Sequence, residues 1–176
     1  MRSKPWSFVA LASLVGATLT VVSASPAHAA VLDHTCVTRQ VTRYSPGVMF
    51  EPAEQKIRIK TKASSCTGTV RPDITSGFAK FTFRAERSCL DIDQTTSGTS
   101  AITWNTGETS VYTYDSTTVT IGGQIIVTIV GTVIAGPFEG STITIVVVSP
   151  VDLLKCLFPP GITKRVGEGI VEISSL

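Results

Sequence analysis

Between residues 56 and 62 the chain alternates strictly, Lys56-Ile57-Arg58-Ile59-Lys60-Thr61-Lys62, with apolar or Thr side chains at odd positions and cations at even ones. Successive side chains of a strand point to opposite faces, so this pattern predicts a strand with one buried and one wet face. Lys80-Phe81-Thr82-Phe83-Arg84-Ala85-Glu86 repeats the scheme, with Phe81, Phe83 and Ala85 inward. Further strands are predicted near 36–44, 100–104, 110–121, 124–134, 142–148 and 169–174, and three-to-four helical spacing is absent beyond residue 30. Gly122-Gly123 between two β-branched runs is a two-residue hairpin signal, because both positions tolerate positive φ. Asn105-Thr106-Gly107 and Gly136-Pro137 mark two more reversals. The stretch 125–148 is the most apolar, but Gly131, Gly136, Pro137 and Gly140 cut it, so it reads as two core strands and not as a membrane helix. This succession predicts an all-β fold, an antiparallel β-sandwich of immunoglobulin-like or related topology, with a closed barrel as the alternative.

The first residues obey a different pattern. Arg2 and Lys4 precede an apolar stretch over 8–22, no acidic residue occurs before Asp33, and Ala27-His28-Ala29 supplies small residues at alternate positions. That order is the one of a secretory signal peptide, with cleavage expected after Ala29. The stretch is interrupted by Ser13, Gly16 and Thr18 and falls short of the roughly 20 apolar residues of a membrane span. Residues 1–29 are therefore read as a leader and 30–176 as a single secreted domain without a membrane span, a length that suits one core.

All four cysteines, Cys36, Cys66, Cys89 and Cys156, lie in that domain. An even number in an oxidising compartment favours two disulfides over metal binding. Zinc sites use short ligand spacings such as C-x-x-C, which are missing here, and His34 is the one histidine left in the domain, so no metal and no cofactor is expected. Four cysteines permit three connectivities. If 36–44 and 56–62 form a hairpin turning over 45–54, partners have numbers adding to about 100, and Cys36 and Cys66 add to 102. This favours Cys36 with Cys66 and leaves Cys89 with Cys156.

Removing the leader changes the charge. The 15 basic residues lose Arg2 and Lys4, leaving 13 against 13 acidic ones, so the domain is formally neutral and gives no ground for a specific nucleic-acid partner. The charge is unevenly placed: ten of the 13 cations lie between Arg39 and Arg87. Lys56, Arg58, Lys60 and Lys62 form a candidate anion-binding face for an anionic cell-wall polymer or another extracellular protein. The competing reading is a wet strand face whose lysines prevent sheet-to-sheet association.

Catalytic constellations are sparse. His34, five residues from the expected new N-terminus, stands where chains fray, so no catalytic residue is assigned and a histidine-dependent triad is not expected. Asp91 and Asp93 share a face of a strand-like segment and are the one carboxylate pair considered for acid–base work. Trp104 suits either sugar stacking or a core plug. The segment Cys156-Leu157-Phe158-Pro159-Pro160-Gly161 is stiffened by prolines, as inhibitor loops are, or serves as a connector.

Several short pieces carry a resemblance: Tyr44-Ser45-Pro46-Gly47, Ser88-Cys89-Leu90, Thr103-Trp104-Asn105-Thr106-Gly107, Gly131-Thr132-Val133, Phe138-Glu139-Gly140, Asp152-Leu153-Leu154-Lys155-Cys156-Leu157 and Pro160-Gly161. With these and its four cysteines, nearly the whole domain resembles a family of small secreted actinobacterial proteins to which no activity is assigned. The resemblance implies export, a four-cysteine framework and a β fold, and it carries over no functional residue. Ser141 and Lys155 depart from that family, which usually has an aspartate and a small residue there. The expectation from sequence is thus a secreted non-enzymatic extracellular or cell-surface binding module, with a protease inhibitor using residues 157–163 second and a hydrolase using Asp91 or Asp93 third.

Overall fold

The computed structural model describes residues 31–90, 92 and 94–175. The expected leader and the pair Asp91 and Asp93 lie outside the described residues. Eight antiparallel strands follow one another: β1 (Val31–Val48), β2 (Ala53–Gly68), β3 (Gly77–Arg87), β4 (Thr96–Trp104), β5 (Thr109–Ile121), β6 (Gln124–Ala135), β7 (Thr142–Pro150) and β8 (Ile162–Ser175). Each pairs with the next, and β8 returns to pair with β1, so the sheet closes into one up-and-down barrel. Among the described residues no helix is long and apolar enough to cross a membrane.

The all-β class and the two disulfides are as the alternation and the cysteines indicate; the two-sheet sandwich is not what forms. Alternation encodes which side chains face inward and is the same for a sandwich and a barrel. Closure is decided by the first and last strands, whose register runs from Val31 opposite Ser175 to Val48 opposite Ile162. β8 begins seven residues earlier than the pattern indicates, at Ile162 and not at residue 169. It lies close to β7, because a Cβ at Gly169 would sit 1.8 Å from the Val146 carbonyl oxygen. The β5–β6 hairpin turns at Gly122 and Gly123, with φ of 58° and 74°, as their pairing predicts.

Cys36 bonds to Cys66 and Cys89 to Cys156. The first bridge sits at a bulge where the β1–β2 register slips between Thr35 and Val37. Two apolar clusters occupy the two ends of the barrel. At the lower end, where β1 begins, β8 ends and the β2–β3, β4–β5 and β6–β7 turns lie, Trp104, Ile74, Val133, Phe138, Ile143 and Ile173 form a packed floor. Trp104 is a plug and not a sugar platform: it is 3% exposed, donates from Nε1 to Ser110 Oγ at 2.8 Å and meets Phe138 edge-on. Asn105 latches the β2–β3 loop to this floor, its Oδ1 accepting from the Thr75 and Ser76 amides and its Nδ2 donating to the Asp73 carbonyl. At the upper end Tyr44, Val48, Ile57, Ile162 and the Cys89–Cys156 bridge form a smaller cluster.

Candidate functional site in the barrel interior

Eight-stranded barrels either fill their interior with side chains or leave room for one small molecule. Here the inward phase reads Gln40, Thr42 and Tyr44 on β1; Ile57, Ile59 and Thr61 on β2; Phe81 and Phe83 on β3; Tyr112, Tyr114 and Ser116 on β5; and Val127 and Ile129 on β6. These side chains do not meet across the axis. They line a cavity of about 470 Å³, within the roughly 300–1,000 Å³ usual for small-molecule sites. Ile59, Phe81, Phe83, Tyr114 and Ile129 point inward yet stay only half-buried, because part of each side chain faces the hollow. Phe81 and Phe83 stack, ring centroids 6.3 Å apart, as one apolar wall.

The hollow opens sideways. β3 and β4 pair at Gly77 with Trp104 and at Phe78 with Thr103, and no further register pair joins them above that point. The remaining length of each strand is hydrogen-bonded on one side, β3 to β2 and β4 to β5. Through this gap the cavity wall takes in outward-facing residues of both strands, Phe78 and Thr82 on β3 and Ser97 and Thr99 on β4.

The charged groups of the lining, Arg87 and Arg165, lie towards the upper end. Arg87 ends β3, 8% exposed, and its Nη1 donates to the Glu86 carbonyl at 3.0 Å and to Gln94 Oε1. Arg165 of β8 stands opposite Thr42 in the inward phase and lines the cavity. Its Nε and Nη1 are buried without a hydrogen-bond partner among the described residues. Burial pushes the Tyr44 phenol above its ordinary pKa, while the positive charges of Arg165 and Arg87 pull the other way. Tyr112 is also raised by burial, against a hydrogen bond with Ser100. No carboxylate lines the hollow among the described residues.

Lys56, Arg58, Lys60 and Lys62 are exposed on the outer wall of β2. The sheet extends their stripe: Arg43 stands opposite Arg58 and Arg39 opposite Lys62, and on β3 Arg84 stands opposite Lys56 and Lys80 opposite Lys60. Arg84 pairs with Glu54 at 2.8 Å.

His34 does not fray; it is 1% exposed inside β1, paired with Gly68 and Ile173, and packs against Phe138. Burial holds its pKa below the usual value, against opposing pulls from the Ile74 backbone and the Asp73 carboxylate. His34, Cys36 and Cys66 lie within 4.8 Å of one another, but the two sulfurs are bonded to each other, which leaves one imidazole and no metal-binding set. In the segment considered as an inhibitor loop, Leu157 and Phe158 are exposed, whereas Ile162 is already buried as β8 begins.

Sequence reasoning did not reach the hollow or Arg165. Alternation carried backwards from Val171 and Ile173 lands on Gly169, Gly167 and Arg165, which is the signal that marks the arginine as inward. No family model, curated protein or solved structure matches the chain.

Proposed function

We propose that this is an extracellular, non-enzymatic binding protein that encloses a small, largely apolar molecule inside its barrel. The observation that carries this reading is the hollow of about 470 Å³ walled by half-buried Ile59, Phe81, Phe83, Tyr114 and Ile129. Inward apolar side chains that keep part of their surface open to the hollow forgo roughly 25 cal/mol for each Å² that a ligand would cover. The floor around Trp104 is packed, so the space is local and not a general looseness of the core. Two disulfides fit an oxidising setting outside the cell, in keeping with the export leader read at residues 1–29. A non-catalytic role is supported by the placement of His34 in the floor, away from the hollow.

The test is a titration of the purified mature protein, stripped of co-purifying lipid, with an apolar fluorescent probe. Saturable binding at one site per chain, abolished by the cavity-filling substitution Ile129→Trp, is expected. Absence of saturable binding across probes of graded size refutes the reading.

A second reading follows from the outer wall. The stripe Lys56, Arg58, Lys60 and Lys62, widened by Arg39, Arg43 and Lys80, suits an anionic wall polymer. Reversing the four charges of the stripe should then abolish salt-sensitive retention on such material, and unchanged retention removes this reading.

A further inference from the structure

We infer that the molecule held in the barrel is an amphipathic carboxylic acid, its carboxylate seated on Arg165 and its apolar body lying along the hollow; this rests on the reading of the hollow as a ligand site. Arg165 occupies an inward position of β8, where strand alternation otherwise places Val171 and Ile173. Arg165 is half-buried, and because a guanidinium keeps its charge, whichever of its nitrogens are withdrawn from solvent depend on an acceptor. Two of its nitrogens, Nε and Nη1, are withdrawn from solvent and meet no acceptor. Buried donors of this kind cost free energy unless a hydrogen bond satisfies them, and a charged acceptor satisfies them best.

Among the described residues the surroundings supply no such acceptor. No Asp or Glu among the described residues lines the cavity. Asp152 shares a smaller recess with Arg165, together with Lys155 and Lys164, but its side chain accepts from the Leu154 amide and forms no ion pair with the arginine. Arg87 and Arg165 both act on the buried Tyr44 phenol, so this end of the cavity carries two positive charges around a hydroxyl donor. Beyond it lie Ile57, Phe83, Phe81, Ile59 and Ile129, hydrocarbon without charge. Hydroxyl and amide groups such as those of Thr61, Ser116 and Gln40 are interspersed along that wall, but its two charges are both positive and both at one end, which a single anionic head with an apolar tail complements.

Access matches the same chemistry. The gap between β3 and β4 is bordered on its β3 side by outward Lys80 and Arg84, with the β2 cations behind them. Glu54 and Glu86 offset part of this charge, Glu54 through its pair with Arg84, but Lys80 and the β2 cations leave a net positive wall, which raises the local concentration of anionic ligands. The cationic wall, which packing leaves unexplained, thereby acquires a role in capture.

The experiment is isothermal titration calorimetry of the full mature protein, stripped of lipid, with straight-chain carboxylic acids of eight to twelve carbons and the primary alcohols of matching length. Wild type is expected to bind the acid roughly tenfold or more tightly than the alcohol, the worth of a hydrogen bond to a charged group. Arg165→Met should remove that preference and leave alcohol binding within about twofold, and Arg165→Lys should retain part of it. Equal affinity for acid and alcohol in wild type overturns the carboxylate seat while the hollow stands as a ligand site. So does an equal loss of both in Arg165→Met with its circular dichroism unchanged. If no acid, alcohol or apolar probe binds, the reading of the hollow itself falls. The wild-type comparison decides the matter even where the methionine variant fails to fold.

Discussion

Placing a tryptophan at Ile129 distinguishes a hollow from a filled core. Inserting extra atoms into a packed interior forces off-rotamer side chains and costs roughly 1–3 kcal/mol, occasionally more. At Ile129 the added ring enters a space of about 470 Å³ and covers the apolar faces of residues such as Tyr114. Burial contributes about 0.8 kcal/mol for each added carbon group that leaves water, and the loss of rotamer freedom opposes it by up to about 1 kcal/mol. The net change is therefore expected within about 1 kcal/mol of zero. The matched control is Ile143→Trp, at a position 0% exposed in the floor, where the full overpacking penalty of about 3 kcal/mol applies. A gap of about 2 kcal/mol corresponds to a Tm difference of roughly 4–8 °C for a domain of this length. Urea unfolding followed by circular dichroism, with equal m-values for the variants, measures it. Equal destabilisation at the two positions would show that the interior is packed throughout and refute the hollow.

Three further outcomes are expected. The loops closed by the disulfides span 30 and 67 residues, so paired Cys→Ser replacement should cost about 3.6 kcal/mol for Cys36 with Cys66 and about 4.4 kcal/mol for Cys89 with Cys156 in the chain-entropy account; urea midpoints of the two double variants check the order. Burial lowers the pKa of His34 in the folded chain below its ordinary 6.5, so the unfolded chain takes up the proton more readily as pH falls. Stability is accordingly full above that value and declines as pH falls through it towards the depressed folded-state pKa, so urea midpoints should drop between pH 7.5 and 5.5 in wild type and the drop should shrink in His34→Phe. Asn105→Ala removes three hydrogen bonds to the 73–76 segment and should destabilise by about 1–3 kcal/mol, read by thermal unfolding, since the bonds are exposed and their net worth is modest.

The strands were legible because each is a local pattern. The β1–β2 hairpin places Tyr44 opposite Ile57, one off the sum the pattern suggests, and that register brings Cys36 and Cys66 together across the bulge. Closure was not legible, since pairing of β1 with β8 joins positions more than 110 residues apart, such as Val48 and Ile162, and leaves no local mark. Arg165 also hid the first half of β8, because a charge in the inward phase reads as the end of a strand. The hollow was invisible for a related reason: Phe81 and Ile59 alternate identically whether they meet other side chains or an empty space. The frequency of Thr, Ser and Gln in the inward phase, at Gln40, Thr42, Thr61 and Ser116, was the sequence trace of an interior that is not a packed apolar core. The cationic stripe could be read in full, because outward positions depend on nothing beyond the strand itself.

Methyl-labelled NMR of the isoleucines during titration with a saturating apolar ligand tests the central claim most directly. Chemical-shift changes should centre on Ile57, Ile59, Ile129 and Ile145, which face the hollow, and leave Ile121, Ile134 and Ile170 on the outer surface unmoved. Changes confined to those outer residues, or no changes at all under saturating ligand, would contradict a barrel built to hold its ligand inside.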